Sequence, residues 1–247
     1  MQQNIYDNNE FFQGYKQLRS RDDNYNILVE QPAMRGLLPD LNNKSVLDLG
    51  CGFGDNCIDF ICRGAKRVVG VDISEKMLSL AKERNTDDKI EYKNISMTEI
   101  SMLSEKFDLI YSSLAFHYIK DFDMLMKDCN FLLNDDGVLL FSQEHPITTC
   151  SVNDSNHYIT DNFGEKIGYC VGHYTDTGFR KTKWFVDGVE KYHRTFSNVI
   201  NAVANAGFRI TSVTEPEPSA EALKIRPGLK KDFIKPTFLI IKAQKCC

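Results

Sequence analysis

Short apolar runs alternate along the chain with stretches whose apolar residues recur every three or four positions, and this rhythm sets in at Lys44. Ser45-Val-Leu-Asp-Leu-Gly50 is an apolar run ending in a glycine-rich turn, the pattern of a strand buried on both faces. Ile58, Ile61 and Cys62 then fall at helical spacing between Asp55 and Arg63, and Gly64 supplies a stop. Arg67-Val-Val-Gly-Val-Asp72 reads as a second strand. Ser74 is placed to cap a helix with the inner stripe Met77, Leu78 and Ala81. Ile90 and Tyr92 mark a third strand, Phe107–Ser112 a fourth, Phe122–Leu133 a helix, and Val138–Ser142 a fifth strand after the Asp135-Asp136-Gly137 turn. Strands separated by helix-length segments predict βαβ units, hence a parallel sheet with helices on both faces.

Beyond Pro146 the rhythm lapses. Asp187-Gly188, between Trp184-Phe185-Val186 and Val189, is the signal of a two-residue hairpin turn. Residues 147–195, rich in aromatics (Tyr169, Tyr174, Phe179, Trp184, Phe185 and Tyr192), therefore read as an antiparallel insertion after strand five. The α/β pattern then resumes. Ser197 can cap a helix carrying Ile200, Val203 and Ala204, Gly207 ends it, and Phe208–Val213 and Thr237–Lys242 are the last two strands. Ahead of the first strand, Tyr6, Phe11, Phe12 and Tyr15 have helical spacing, and Pro32 and Pro39 break the helices of that region. One domain is expected over 1–247: a helical cap (1–40), a core (41–146), the insertion (147–195) and the C-terminal part of the sheet (196–247).

Composition narrows the class. The chain is 42% hydrophobic and 26% charged, which excludes a largely disordered polymer, and its net charge of −4 lacks the positive field that nucleic-acid backbones select. No run reaches the ~20 apolar residues of a membrane span, and the N-terminus lacks the apolar centre of a secretory signal. Eight cysteines occur, without C-x-x-C pairs or Cys/His spacings of a zinc site, so they read as thiols of a cytoplasmic protein, and no metal site is expected. The oligomeric state is left open.

The chemistry concentrates in Val46-Leu-Asp48-Leu-Gly50-Cys-Gly52-Phe-Gly54. A glycine turn directly after the first strand lets a ligand approach the backbone, and Asp72 at the end of the second strand stands at the ~20-residue offset where an acid accepts from ribose hydroxyls. An adenosine-bearing ligand is expected across these strand ends. A dinucleotide fingerprint would run G-x-G-x-x-G, whereas here the third glycine comes one residue early. Asp48 before the turn suits a ligand with cationic sulfonium and ammonium groups better than a diphosphate.

From Val46 to the strand near Phe238 the chain resembles the class I S-adenosylmethionine-dependent methyltransferases, in their small-molecule branch of methyltransferase-11 and ubiquinone/menaquinone methyltransferase type. The resemblance implies a Rossmann-like sheet of seven mostly parallel strands with the last antiparallel, and S-adenosylmethionine as cofactor, released as S-adenosylhomocysteine. By position it puts Gly50, Gly52 and Gly54 under the methionine portion, Asp72 on the ribose, and Ile73 and Met77 on the adenine. Ser96 and Met97 stand where relatives carry an acid and a small residue for the adenine amine, so the acid is missing here. Ser112 and Leu114 would pass beside the methionine end, and Tyr15 would fold over the cofactor.

Methyl transfer from a sulfonium needs alignment and exclusion of water, and needs a base only where the acceptor must lose a proton. The base candidates are His145 and Glu144 in Gln143-Glu-His-Pro146, beyond strand five, and His193 in Tyr192-His-Arg-Thr195. Each could equally anchor the insertion. His117 is a weaker candidate, and His157 and His173 read as ordinary residues of the insertion. The expected activity is methyl transfer to O, N or C of a small molecule under an aromatic lid. The alternatives are a nicotinamide-dependent oxidoreductase on the same kind of sheet and a non-catalytic S-adenosylmethionine-binding module.

Overall fold

In the computed structural model, which describes residues 3–85, 87–152 and 155–246, seven strands form one sheet. In chain order the elements are α1 (Asn9–Arg19), α2 (Gln31–Leu37), β1 (Ser45–Leu49), α3 (Asp55–Cys62), β2 (Arg67–Asp72), α4 (Glu75–Arg84), β3 (Ile90–Asn94) and β4 (Phe107–Ser112). They continue as α5 (Phe122–Leu132), β5 (Leu133–Glu144), α6 (Pro146–Thr149), β6 (His157–Thr160), β7 (Lys166–Cys170), β8 (Gly178–Trp184) and β9 (Val186–His193). The chain finishes with α7 (Phe196–Asn205), β10 (Phe208–Thr214), α8 (Ala220–Ile225) and β11 (Phe238–Lys245).

The strand order is β10-β11-β5-β4-β1-β2-β3. Strands β1 to β5 pair in parallel, and β11 inserts antiparallel between β5 and β10. Alternation along β1 separates two cores. Leu47 and Leu49 face Leu125, Met126, Val199 and Val203 of α5 and α7, while Val46 faces Met34, Phe60 and Leu78 of α2, α3 and α4. The order reverses between β1 and β4, so the cleft where open α/β sheets bind ligands falls at their carboxyl ends.

Caps mark the helix starts. The Ser74 side chain accepts from Met77 N–H, as expected, but α7 starts earlier than Ser197 suggests, because Thr195 and Asn198 close a reciprocal capping box. The insertion is two separate hairpins, β6–β7 and β8–β9. The reversal in β8–β9 sits at Phe185 (φ +59°), not at Asp187-Gly188. Register skips from Thr182↔Val189 to Trp184↔Val186, so Asp187 and Gly188 oppose Lys183 alone as a bulge, with Gly188 at φ +81°. The ring of Phe185 stacks on Trp184 and meets Phe11 edge-on, and these contacts hold the tip in place.

Candidate active site

Gly50, Gly52 and Gly54 all take positive φ (73°, 54° and 78°), which carries the chain from β1 into α3 in one tight turn. At Gly50 a Cβ would meet the Ala115 methyl at 2.7 Å, and at Gly54 it would run into the Tyr92 hydroxyl. At Gly52 it would meet nothing within 4 Å, so the bare backbone there faces open space. That space is a cavity of about 360 Å³ at the carboxyl edge of the sheet. Asp72 is fixed on its wall, with Oδ2 accepting from Gly52 N–H at 2.9 Å and Oδ1 from Ser74 N–H at 2.9 Å. Burial pushes its carboxyl up to about 6.

Of the residues expected around a cofactor, Tyr15, Gly50, Gly52, Asp72, Ile73, Met77, Met97 and Leu114 line this cavity, and Asp48, Gly54, Ser96 and Ser112 do not. Asp48 is wholly buried beneath the turn, where Oδ2 accepts from the Cys57 thiol at 3.4 Å and Oδ1 has no partner. Burial pushes its carboxyl to about 7. Gly54 packs against Tyr92, Ser112 donates to Leu49 C=O at 2.8 Å, and Ser96 accepts from Thr98 N–H. These four shape the cleft from behind its surface.

Sequence reasoning missed half of the wall. Tyr6, Thr98, Ser113, Tyr118, Lys120, Glu190 and Tyr192 also line it. Tyr6 donates to the Tyr118 hydroxyl at 3.3 Å, and its ring meets Tyr15 edge-on. Glu30 was missed as well. It is fully buried, and its Oε1 accepts from Ser113 at 2.8 Å and from Ser142 at 2.5 Å. Ser142 in turn accepts from Leu114 N–H at 3.0 Å, holding Leu114 at φ +54° where its turn presses Ala115 towards Gly50. The available signal was weak: a lone acid in a helical stretch looks like surface.

The N-terminal segment and the β8–β9 hairpin cover the cavity together. Gln3 donates from Nε2 to Gly188 C=O at 2.9 Å and accepts at Oε1 from Glu190 N–H at 3.0 Å. Phe11 and Tyr15 of α1 meet Trp184 edge-on.

None of the three base candidates lines the cavity. Glu144 accepts from Lys191 Nζ at 2.5 Å, and the lysine charge helps to hold its carboxyl down at about 2 despite burial. His145 shares a 2.8 Å bond between Nε2 and Glu215, and its Nδ1 accepts from Ile147 N–H at the start of α6. His193 bonds Thr149 through Nδ1 and Tyr174 C=O through Nε2, both at 2.8 Å. Burial holds both imidazoles below their usual range, so both are neutral at pH 7. His117 is buried and pushed down to about 4, and its Nδ1 faces Glu144 N–H. Among the described residues no group of three or more His, Cys, Asp or Glu could hold a metal, and no helix is long and apolar enough to cross a membrane.

Residues 47–141 match the methyltransferase domain family Methyltransf_11. An uncharacterised protein of Haemophilus influenzae is 36% identical over 98% of this chain and 96% of its own length. Among solved structures, an S-adenosylmethionine-dependent methyltransferase of Mesorhizobium loti is 34% identical, covers 92% of this chain and all (100%) of its own, and superposes with a TM-score of 0.81. A Listeria monocytogenes protein assigned the same dependence is 38% identical over 87% of this chain and 96% of its own, with a TM-score of 0.80. A glycine turn open at Gly52, an acid fixed at the end of β2 and full-length relatives of this kind agree: the chain belongs to the class I S-adenosylmethionine-dependent methyltransferases.

Proposed function

We propose that the protein transfers a methyl group to an O, N or C atom of a small molecule, as one domain acting in the cytoplasm without a membrane or nucleic-acid partner. The observation that carries this reading is the reach of one cavity, from Asp72 and the glycine turn at one end to Tyr118, Lys120 and Tyr192 under the insertion. Its volume of about 360 Å³ lies near the small end of the usual range for ligand pockets, roughly 300–1,000 Å³, which suits a small acceptor rather than a polymer.

The residues fit the cofactor. Asp72 offers carboxylate oxygens to two ribose hydroxyls, Ile73, Met77 and Met97 offer apolar walls to an adenine, and Gly50, Gly52 and Leu114 border the aminoacyl end. Bound S-adenosylmethionine supplies an electrophilic methyl group on a positively charged sulfur. The chain then has to align the acceptor and keep water out, which Tyr15 and the interlocked N-terminal segment and hairpin do. Asp48, Gly54, Ser96 and Ser112 support the turn and the strand ends without touching the ligand. His145, His193 and Glu144 hold the base of the insertion and leave the acceptor's proton to solvent or to the acceptor itself.

The test is to measure S-adenosylhomocysteine and NAD binding by calorimetry, then to supply methyl-labelled S-adenosylmethionine with a metabolite extract. Binding of S-adenosylhomocysteine alone, with label entering a low-mass product, is expected. Label appearing only in macromolecules would overturn the small-molecule reading.

A further inference from the structure

A second recess, of about 400 Å³, opens beside the cofactor cavity and shares two wall residues with it, Lys120 and Tyr192. Its character is different. Asn198, Asn201 and Asn205 stand three and four residues apart, a spacing that puts them on one face of α7, and all three border the recess. His193 and Arg194, at the end of β9, line it with Phe122 and Asp123. Where the first cavity is walled by tyrosines and methionines, this one offers amides and cations.

Arg194 is the telling residue. Its guanidinium donates to the backbone oxygens of Tyr192 at 3.4 Å, Lys120 at 3.0 Å and Ile119, and it lies 4.9 Å from the centre of the Phe122 ring. No carboxylate lies within 4 Å of it or of Lys120 among the described residues, so its contacts are with carbonyl oxygens and a ring face. Burial lowers the Arg194 guanidinium to about 10, which leaves it charged at neutral pH. Asp123 on the wall and Asp121 beside it act on the guanidinium from a distance; both are exposed, and solvent screens their fields. Two other buried cations near the site are already paired, Lys191 with Glu144 and Arg180 with Asp176. An arginine and a lysine with no carboxylate in contact, next to a row of amide donors, match the oxygens of a carboxylate or phosphate.

We propose that this recess holds the acidic group, a carboxylate or phosphate, of the methyl acceptor, while the rest of the acceptor passes between Lys120 and Tyr192 into the cofactor cavity. The proposal rests on the small-molecule reading above and adds the acceptor's charge to it. Arg194 and Lys120 supply attraction, and the asparagines supply hydrogen bonds that fix which way the acceptor enters. Tyr192, facing both spaces, forms the threshold.

The test uses the full chain loaded with S-adenosylhomocysteine and three probes of similar size, benzoate, phenyl phosphate and benzamide, titrated by NMR shift perturbation. At least one of the acids is expected to bind tenfold or more tightly than the neutral amide, and which acid binds decides between carboxylate and phosphate. Asn201→Asp, a change on the exposed face of α7, should weaken that acid at least fivefold and leave the S-adenosylhomocysteine dissociation constant within twofold. Lys120→Gln should weaken the acid similarly. Equal binding of acids and amide, or no loss in Asn201→Asp, overturns the recess assignment. Failure to bind S-adenosylhomocysteine at all would instead sink the cofactor reading. The labelled product from a metabolite extract should be retained by an anion exchanger, and a product that flows through also overturns the proposal.

Discussion

Two aspartates flank the glycine turn, Asp48 ahead of it on β1 and Asp72 across from Gly52 at the end of β2, and they respond to pH for different reasons. Asp72 faces the cavity, and burial raises its carboxyl to about 6 in the absence of ligand. Only the carboxylate can accept from two ribose hydroxyls, so S-adenosylhomocysteine affinity should be level above pH 7 and fall below pH 6, by up to about tenfold per unit. Asp72→Asn should lose about 1.5–3 kcal/mol of binding, roughly 10- to 150-fold, and show a flat pH profile. Calorimetry at pH 5, 6 and 8 checks both, and an unaltered profile in the variant would place the ribose elsewhere. Asp48 is sealed under the turn with one oxygen unpartnered, and its carboxyl stands at about 7 against about 4 in an unfolded chain. The native state therefore holds a proton that the unfolded state has lost, and stability falls as pH rises from about 4 to 7, by at most ~1.4 kcal/mol per unit. Asp48→Asn keeps an acceptor for the Cys57 thiol and cannot ionise. Urea unfolding should show the variant gaining on the parent as pH rises through this window, and parallel curves would mean that water reaches Asp48.

At the scale of elements, the strands and helices of the sheet were legible because each rests on neighbouring residues: a β-branched run, a cap such as Ser74, a glycine stop. The cover was not legible in the same way. Asp187-Gly188 has the composition of a hairpin turn, but the bulge it forms moves the reversal to Phe185, whose ring packs edge-on against Phe11 of α1, far away in sequence. Such a tertiary contact overrides local turn chemistry and leaves no local trace. Gly14 of α1 shows what the contact demands, since a Cβ there would lie 2.6 Å from Cδ1 of Phe185. In a free helix Gly→Ala gains about 1 kcal/mol. Here Gly14→Ala must displace a ring already packed against Phe11 and Trp184, and the strain outweighs that gain. Gly14→Ala should therefore speed proteolysis of the β8–β9 tip severalfold. Adding Phe185→Ala to both backgrounds should erase the difference, and if it persists the ring is not what Gly14 accommodates.

Over the whole molecule, the cleft is assembled from segments that only folding brings together, which is why the glycine turn and Asp72 could be read residue by residue and the cover only in outline, as an aromatic insertion. Gly50 and Asp72 belong to one βαβ unit whose spacing is written in the chain. Tyr6, Tyr118 and Tyr192 reach the same cleft from three elements, buried Glu30 braces Ser113 on its wall, and Gln3 meets Gly188 and Glu190 more than 180 positions away in the sequence. A ligand in this cavity touches the N-terminal cap, the sheet edge and the insertion at once, so its binding energy should appear as stability of all three. With S-adenosylhomocysteine at 100 times its dissociation constant the gain is about 2.7 kcal/mol. For a chain of this size that corresponds to a midpoint about 5–11 °C higher. Because cap and hairpin are interlocked, their protection should rise with the same saturation curve. Trypsin cleavage among Lys166, Lys181 and Lys183 should slow in proportion to the fraction of sites filled, alongside the calorimetric shift. A shifted midpoint with unchanged cleavage would show that the sheet binds the ligand without the cover, and the water-tight closure on which methyl transfer depends would then have to come from the acceptor.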